Sequence, residues 1–274
     1  MSPIFNILPT NNVSANTSFF CEVSNESLSY FLYDISNHTV EALTVFHFHK
    51  IDPEHNVAGI IKKIFEEQPL LQNNYDNVFI SYAFGESILT PDVYHNRNAA
   101  QENITLFYGD LNKGIILTDR IEETNMVNVY RVHRDIHEVI SGHFPAAQYF
   151  HQYSWLIKQL TQVENTMKVI FYQNKIVIVL VKNDKLQIMQ TFHYVAAEDV
   201  VYHMLNICHQ FQAEPVNIEL CGMIEKNSNL FTQIHKYFLR TTFSDIPNRL
   251  KYADGIKEYP SHFFSHLFST ALCV

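Results

Sequence analysis

Glycine is scarce in this chain, with seven among 274 residues and none beside another. Loops that cradle phosphate need glycine so that backbone amides can come close to the oxygens. A glycine-rich nucleotide loop is therefore excluded. Gly109-Asp-Leu-Asn-Lys-Gly114 has the two-glycine spacing of a P-loop, but Ile115-Ile116 stand where Lys-Ser/Thr must follow, so it reads as a hairpin turn. Basic runs are also missing, and the net charge of −9 argues against a nucleic-acid partner. Cys21, Cys208, Cys221 and Cys273 form no C-x-x-C pair, which leaves reduced thiols and no zinc or redox motif. No uncharged run reaches the roughly 18 residues of a membrane helix. The start, Met1-Ser-Pro-Ile-Phe-Asn-Ile-Leu-Pro9, has neither the basic residues nor the apolar stretch of a signal peptide. The expectation is a cytoplasmic protein without membrane insertion.

Catalytic signatures are equally sparse. His133-Arg-Asp-Ile-His-Glu138 lacks the H-E-x-x-H order of a metalloprotease, and the Asn and D-F-G that accompany a kinase His-Arg-Asp are absent. His133 and His137 (i, i+4) and His47 and His49 (i, i+2) could each offer two ligands to a metal, but neither pair has an evident third. Partly solvated histidines are the expectation, with no metal. Glu22 and Glu66 or Glu67 are too few for a two-metal nuclease. No G-x-S-x-G elbow or nucleophile triad is present.

What the chain does have is apolar mass, 47% hydrophobic against 17% charged residues, which predicts a sizeable packed core. It also has an internal repeat. Three apolar runs near 18–24, 27–33 and 40–48 turn at Ser24-Asn25 and Ser36-Asn37-His38. Asp52-Pro53 then suits a helix start. Val57, Ile60, Ile61, Ile64 and Phe65 follow at the spacing of one buried helical stripe, ended by Pro69. Three runs near 167–172, 175–181 and 185–194 repeat the pattern, with turns at Gln173-Asn174 and Asn183-Asp184 and a helix opened by Glu198 and Asp199. Ile176-Val-Ile-Val-Leu-Val181 is apolar without alternation, as in a strand covered on both faces.

Val127-Asn-Val-Tyr-Arg-Val132 matches Val216-Asn-Ile-Glu-Leu-Cys221, so both are read as fourth strands. A helix, a short fifth strand (146–150 and 240–244) and a final helix (152–163 and 261–272) then follow in each half. Gly142 suits the stop of the helix after the first fourth strand. On this register residues 70–125 are an insertion in a first lobe of residues 1–164, and 165–274 form the second lobe. Phe79–Tyr82, Ile104–Phe107 and Gly114–Leu117 are read as strands of the insertion. A competing register makes Val78–Tyr82 the fourth strand. The stripe Phe263-Phe264, Leu267-Phe268, Ala271-Leu272 predicts a final helix packed on the sheet.

Two β-β-β-α-β-α-β-α halves in tandem resemble the actin-like ATPase fold, built from two ribonuclease H-like domains. Several phrases also resemble an uncharacterised family of Bacteroidetes proteins assigned that fold: Leu28-Ser-Tyr-Phe-Leu-Tyr33, Ser87-Ile-Leu-Thr-Pro-Asp-Val-Tyr94, Phe144-Pro-Ala-Ala-Gln-Tyr-Phe-His151 and Val201-Tyr-His-Met-Leu-Asn206. The resemblance implies an α/β protein of two lobes, each with a mixed five-stranded sheet and flanking helices. It also implies where a nucleotide would sit: between two hairpin turns carrying Asp and Gly, with a glycine turn at the adenosine. The matching positions here are Ser24 and Asn25, Asn174 and Lys175, and Gly222. Neither hairpin turn has a glycine or an aspartate. ATP with magnesium is therefore disfavoured, no cofactor is expected, and the leading expectation is a non-catalytic scaffold that binds a protein partner. A divergent nucleotide-binding protein is the alternative.

Overall fold

The computed structural model describes residues 2–10, 13–14, 16–48, 56–96, 99–110, 114–160, 165–214 and 216–273. They form two compact units, the first made of Met1–Lys158 with Arg249–Ile256, the second of Gln159–Asn248 with Lys257–Val274. No helix among the described residues is long and apolar enough to cross a membrane.

The first unit opens with β1 (Phe5–Ile7), β2 (Thr17–Val23), β3 (Ser27–Asp34) and β4 (Thr39–His47), then α1 (Val57–Glu67) and β5 (Asn77–Tyr82). β2, β3 and β4 are successive antiparallel neighbours, and β5 returns parallel to β2 with Phe19 opposite Val78 and Val23 opposite Tyr82. The α1 crossover between β4 and β5 supplies the long connection that a parallel return requires. Its apolar stripe buries Ala58, Ile61, Ile64 and Phe65, and Asn56 caps it by accepting the Ala58 amide at 2.9 Å. The helix start read at Asp52-Pro53 lies outside the described residues.

After β5 come β6 (Ser87–Pro91), α2 (Ala100–Tyr108), β7 (Gly114–Ile121), β8 (Met126–His133), α3 (Arg134–His143), β9 (Gln148–His151) and α4 (Gln152–Lys158). β9 pairs parallel with β5, completing the order β1-β4-β3-β2-β5-β9. β6, β8 and β7 form a separate antiparallel sheet.

The second unit repeats the first in simpler form: β10 (Thr166–Phe171), β11 (Lys175–Lys182), β12 (Lys185–His193), α5 (Ala197–Phe211), β13 (Asn217–Gly222), α6 (Asn229–Tyr237) and β14 (Thr241–Phe243). Its sheet order, β12-β11-β10-β13-β14, is that of β4-β3-β2-β5-β9, with β13 parallel to β10. β11 is buried from Lys175 to Val181, as its unalternating apolar sequence requires. Asp199 caps α5 through the amides of Val195 and Ala196 at 2.9 and 3.0 Å. The chain then sends β15 (Lys251–Tyr252) to the first unit, where it pairs parallel with β4. Short turns follow as α7 (Asp254–Lys257) and α8 (Ser265–Phe268).

Four expectations need correction. The fourth strand of the first sheet is β5, not 127–132, so residues 70–125 are not one insertion. Val78, Ile80 and Tyr82 are buried in the core of that sheet, whereas 126–133 takes β6 and β7 as its strand partners among the described residues. Likeness between two short apolar runs carries no information on which parallel neighbour each takes. Ile104–Phe107 is helical, because Ala100 and Ile104, four apart, pack on Val127 and Val129. Gly109 ends that helix with φ +74° and its amide on Thr105, so it leaves a helix rather than turning a hairpin; residues 111–113 lie outside the described residues. Gly142 lies within the last turn of α3, which runs to His143.

The stripe at 263–272 is buried as expected at Phe263, Phe264, Leu267, Phe268 and Ala271, but over short helical turns rather than one continuous helix.

Candidate functional site

Each expected phosphate turn closes on itself. In the turn between β2 and β3, Ser24 is buried and Asn25 is exposed. The Ser24 hydroxyl accepts the amides of Glu26 and Ser27 at 3.1 and 3.0 Å, and the Ser24 amide donates to the Ser27 carbonyl at 2.9 Å. Three amides that could face an anion are thereby committed to the turn's own oxygens.

The turn between β10 and β11 keeps Gln173 and Asn174 exposed and Lys175 buried. The Tyr172 amide donates to the Lys175 carbonyl at 2.9 Å. The Tyr194 hydroxyl spans the carbonyls of Tyr172 and Gln173 at 3.0 and 3.2 Å. The Lys175 ammonium lies over the Tyr172 ring, 5.1 Å from its centre. Ser24 and Asn25 belong to the first unit; Asn174, Lys175 and Gly222 belong to the second.

Gly222 ends β13 opposite Phe171, where β10 gives way to the Tyr172–Lys175 turn. Its φ is +84°, and a Cβ there would stand 2.2 Å from the Phe171 carbonyl oxygen. The neighbouring amide, Met223, donates to that same oxygen at 2.8 Å. Close strand contact therefore accounts for this glycine without a ligand. The loop after it is held by His262, whose Nε2 bonds the Ile224 carbonyl at 2.7 Å. Burial lowers the His262 pKa more than that hydrogen bond raises it, so the imidazole is a neutral donor.

Sequence reading missed two buried polar clusters. The first is centred on Asp119 of β7. One carboxylate oxygen accepts the Tyr130 hydroxyl at 3.1 Å; the other accepts the His151 amide at 2.7 Å and the Ser154 hydroxyl at 2.5 Å. Asn128 links Ser154 to Ser87. Burial raises the Asp119 pKa against the lowering effect of these donors. A charged residue between Leu117 and Ile121 in an apolar strand was the available signal. The network fastens the β6-β8-β7 sheet to β9 and α4.

The second cluster lies in the other unit. Lys168 of β10 meets Glu219 of β13 at 3.1 Å, and Ser244 also donates to Glu219. Cys221 and His266 are buried nearby; burial pushes the thiol up to about 11 and the imidazole down to about 3. Neither cluster places a nucleophile beside a base in an open cleft.

Of the four paired histidines, His137 has a protein partner. Burial lowers the His137 pKa, and its Nδ1 shares a 2.7 Å hydrogen bond with the Tyr82 hydroxyl. His49 lies outside the described residues. Among the described residues no group of three or more His, Cys, Asp or Glu is placed to hold a metal.

A family described as "Protein of unknown function (DUF3822)" matches residues 10–240. The chain belongs to that family. A Bacteroides thetaiotaomicron protein, described as having an actin-like ATPase fold and unknown function, is similar over 84% of this chain and 91% of its own, with 17% identity and a TM-score of 0.73. A chain of the PilM-PilN type IV pilus biogenesis complex is similar over 93% and 98%, with 10% identity and a TM-score of 0.60. The cytoplasmic domain of EpsL, an inner membrane component of the Vibrio cholerae type II secretion system, is similar over 94% and 95%, with 9% identity and a TM-score of 0.50. No curated protein matches by sequence. The fold is the actin-like ATPase fold, with mixed α/β sheets in both units.

In this DUF3822 member two grooves open on the first unit. A groove of about 680 Å³ runs between β7 (Ile116, Thr118, Arg120) and the start of α2 (Ala100, Gln101), with His95 at its wall. Near it Val93, Tyr94, Leu106 and Phe107 are all at least 69% exposed. A second groove of about 580 Å³ separates α1 from α3, with Gly59 and Gly142 among its lining and Lys62, Glu66 and Glu138 charged within it.

Proposed function

We propose that this protein is a non-catalytic actin-like scaffold that binds a protein partner through the β6-β8-β7 sheet and α2. The observation that carries the reading is the closed turn at Ser24, where the hydroxyl takes the amides that an anion would need. Tyr194 and the Phe171–Gly222 contact support it at the other positions. The surface argument is that two adjacent pairs of large apolar side chains, Val93 with Tyr94 and Leu106 with Phe107 of α2, are at least 69% exposed; exposed apolar patches mark interaction sites. PilM occurs in a complex with PilN, and EpsL is a secretion-system component, so proteins of this fold do work within assemblies.

Two measurements test the reading. Thermal melting with millimolar Mg-ATP should be flat, whereas one-site binding at 100 Kd would add about 2.7 kcal/mol and raise the midpoint. A Leu106→Ser, Phe107→Ser double variant should keep the wild-type melting point yet lose the protein captured by wild-type bait from source cells. Capture undiminished by the double variant would remove α2 from the interface. A melting shift with Mg-ATP would instead favour a divergent nucleotide-binding protein using Ser24, Asn25, Asn174, Lys175 and Gly222.

A further inference from the structure

β7 is one edge of the β6-β8-β7 sheet, and the ladder fixes which of its backbone groups are engaged. The Arg131 amide donates to the Glu86 carbonyl at 2.9 Å, and the Asp92 amide to the Asn125 carbonyl at 2.8 Å. Both bonds continue the register of β6 with β8. Backbone direction alternates along an antiparallel ladder, so Val127, Val129 and Arg131 turn to β6, while Asn128, Tyr130 and Val132 turn to β7. Their partners on β7 are Asp119, Leu117 and Ile115. Ile116, Thr118 and Arg120 therefore point amide and carbonyl away from the sheet. No group among the described residues bonds them there. The same three residues, with Leu117, form one wall of the groove of about 680 Å³ whose other wall is His95, Ala100 and Gln101. Ile116 is half-buried; Thr118 and Arg120 are exposed. An unpaired strand edge beside a groove can take an extended peptide as a further strand, with affinity from main-chain bonds and specificity from alternate side chains.

We propose that an extended segment of a partner protein, apolar at alternate positions and carrying a carboxylate for Arg120, adds to the free edge of β7. This rests on the reading above that a partner meets this sheet and α2. Arg120 and His95 are the ionisable residues of the groove, in a chain of net charge −9, so the lining favours an acidic side chain. Arg120 lies 3.5 Å from Asp92, but both are exposed, and such a pair contributes little. Ile116 packs on the side of Ala100 and Ile104 and offers the apolar contact. A second copy fits less well. Antiparallel pairing of β7 with itself would set Arg120 opposite Gly114, Ile116, Thr118 or another Arg120, never a carboxylate. A charge of −9 on each chain also opposes self-association.

A phage-displayed library of random peptides, selected on the immobilised full chain, tests the strand addition. Binders should alternate apolar residues and carry Asp or Glu. Thr118→Pro removes one outward amide at a position where an edge strand tolerates proline. It should keep the wild-type near-ultraviolet circular dichroism and weaken the selected peptides at least about tenfold. Thr118→Ala, which keeps that amide, should bind them as wild type does. Arg120→Glu, at an exposed position, should also weaken them at least about tenfold. Bound peptide should slow hydrogen exchange at the amides of Ile116, Thr118 and Arg120, and leave Ile115, Leu117 and Asp119 unchanged. A selection without binders, binders that survive Thr118→Pro or Arg120→Glu, or no protection at those three amides overturns the proposal. So does a wild-type dimer in sedimentation velocity that Thr118→Pro dissolves, since the edge would then belong to a second copy. If the peptides fail while Leu106→Ser, Phe107→Ser still abolishes partner capture, strand addition falls and the reading above stands.

Discussion

Gly222→Ala tests whether this glycine is retained by strand packing. The added Cβ would meet the Phe171 carbonyl oxygen at 2.2 Å and the Phe171 amide nitrogen at 2.8 Å, both rigid backbone atoms of β10. A Cβ at φ +84° also carries the left-handed penalty of about 1–2 kcal/mol. Forcing extra volume into a packed site adds about 1–3 kcal/mol. The sum is about 2–5 kcal/mol, partly through distortion of the Met223 amide bond to Phe171. At about 4 °C per kcal/mol for a unit of this size, the second unit should melt roughly 8–20 °C lower. Gly142→Ala is the matched control. It lies in α3, where an added methyl would meet nothing within 4 Å and φ is not positive, so the same change should stabilise the first unit by about 0.5–1 kcal/mol. A Gly222→Ala protein melting within about 2 °C of wild type, or a Gly142→Ala protein falling as far as Gly222→Ala, would refute the contact argument.

Other perturbations follow from single contacts. Asn56→Ala removes the acceptor of the Ala58 amide and should cost about 1 kcal/mol in urea unfolding of the first unit. Asp119→Ala strands the Tyr130 and Ser154 hydroxyls and the His151 amide, for a loss of about 2–4 kcal/mol by the same assay. The raised pKa of Asp119 means that the folded state holds its proton more tightly than the unfolded chain. Its contribution is full below the ordinary carboxyl range and falls as pH rises through the raised value. Asp119→Asn should flatten that fall in denaturation midpoints as pH rises above the ordinary carboxyl range. His266 has the opposite sign: its pKa drops to about 3 on burial, so unfolding takes up a proton below about pH 6.5 and stability is lost as pH falls. His266→Phe should make the acid limb of the second unit's melting curve shallower.

The repeated β-β-β-α-β pattern was legible because its strands and helices announce themselves by local periodicity, and α1 and β11 are the plainest cases. Which strand lies beside which was not. β5 and β8 are both apolar runs of similar length, and only contact across sixty residues places Ile80 beside Cys21 and leaves Val129 beside Ile88. α2 imitates a strand in sequence because Leu106 and Phe107 are apolar yet exposed, while its true buried stripe is Ala100 and Ile104. The turns show a subtler limit. Sequence gives Ser24 and Ser27 as polar residues in a bend, equally able to meet a phosphate or each other. Only geometry shows the Ser24 oxygen placed between the Glu26 and Ser27 amides. Removing that oxygen, by Ser24→Ala, would open those amides without adding a ligand. The change should therefore destabilise the hairpin by about 1 kcal/mol or more and create no affinity for Mg-ATP. A turn that gained ATP affinity on losing its serine would mean that the hydroxyl only masks a working phosphate site.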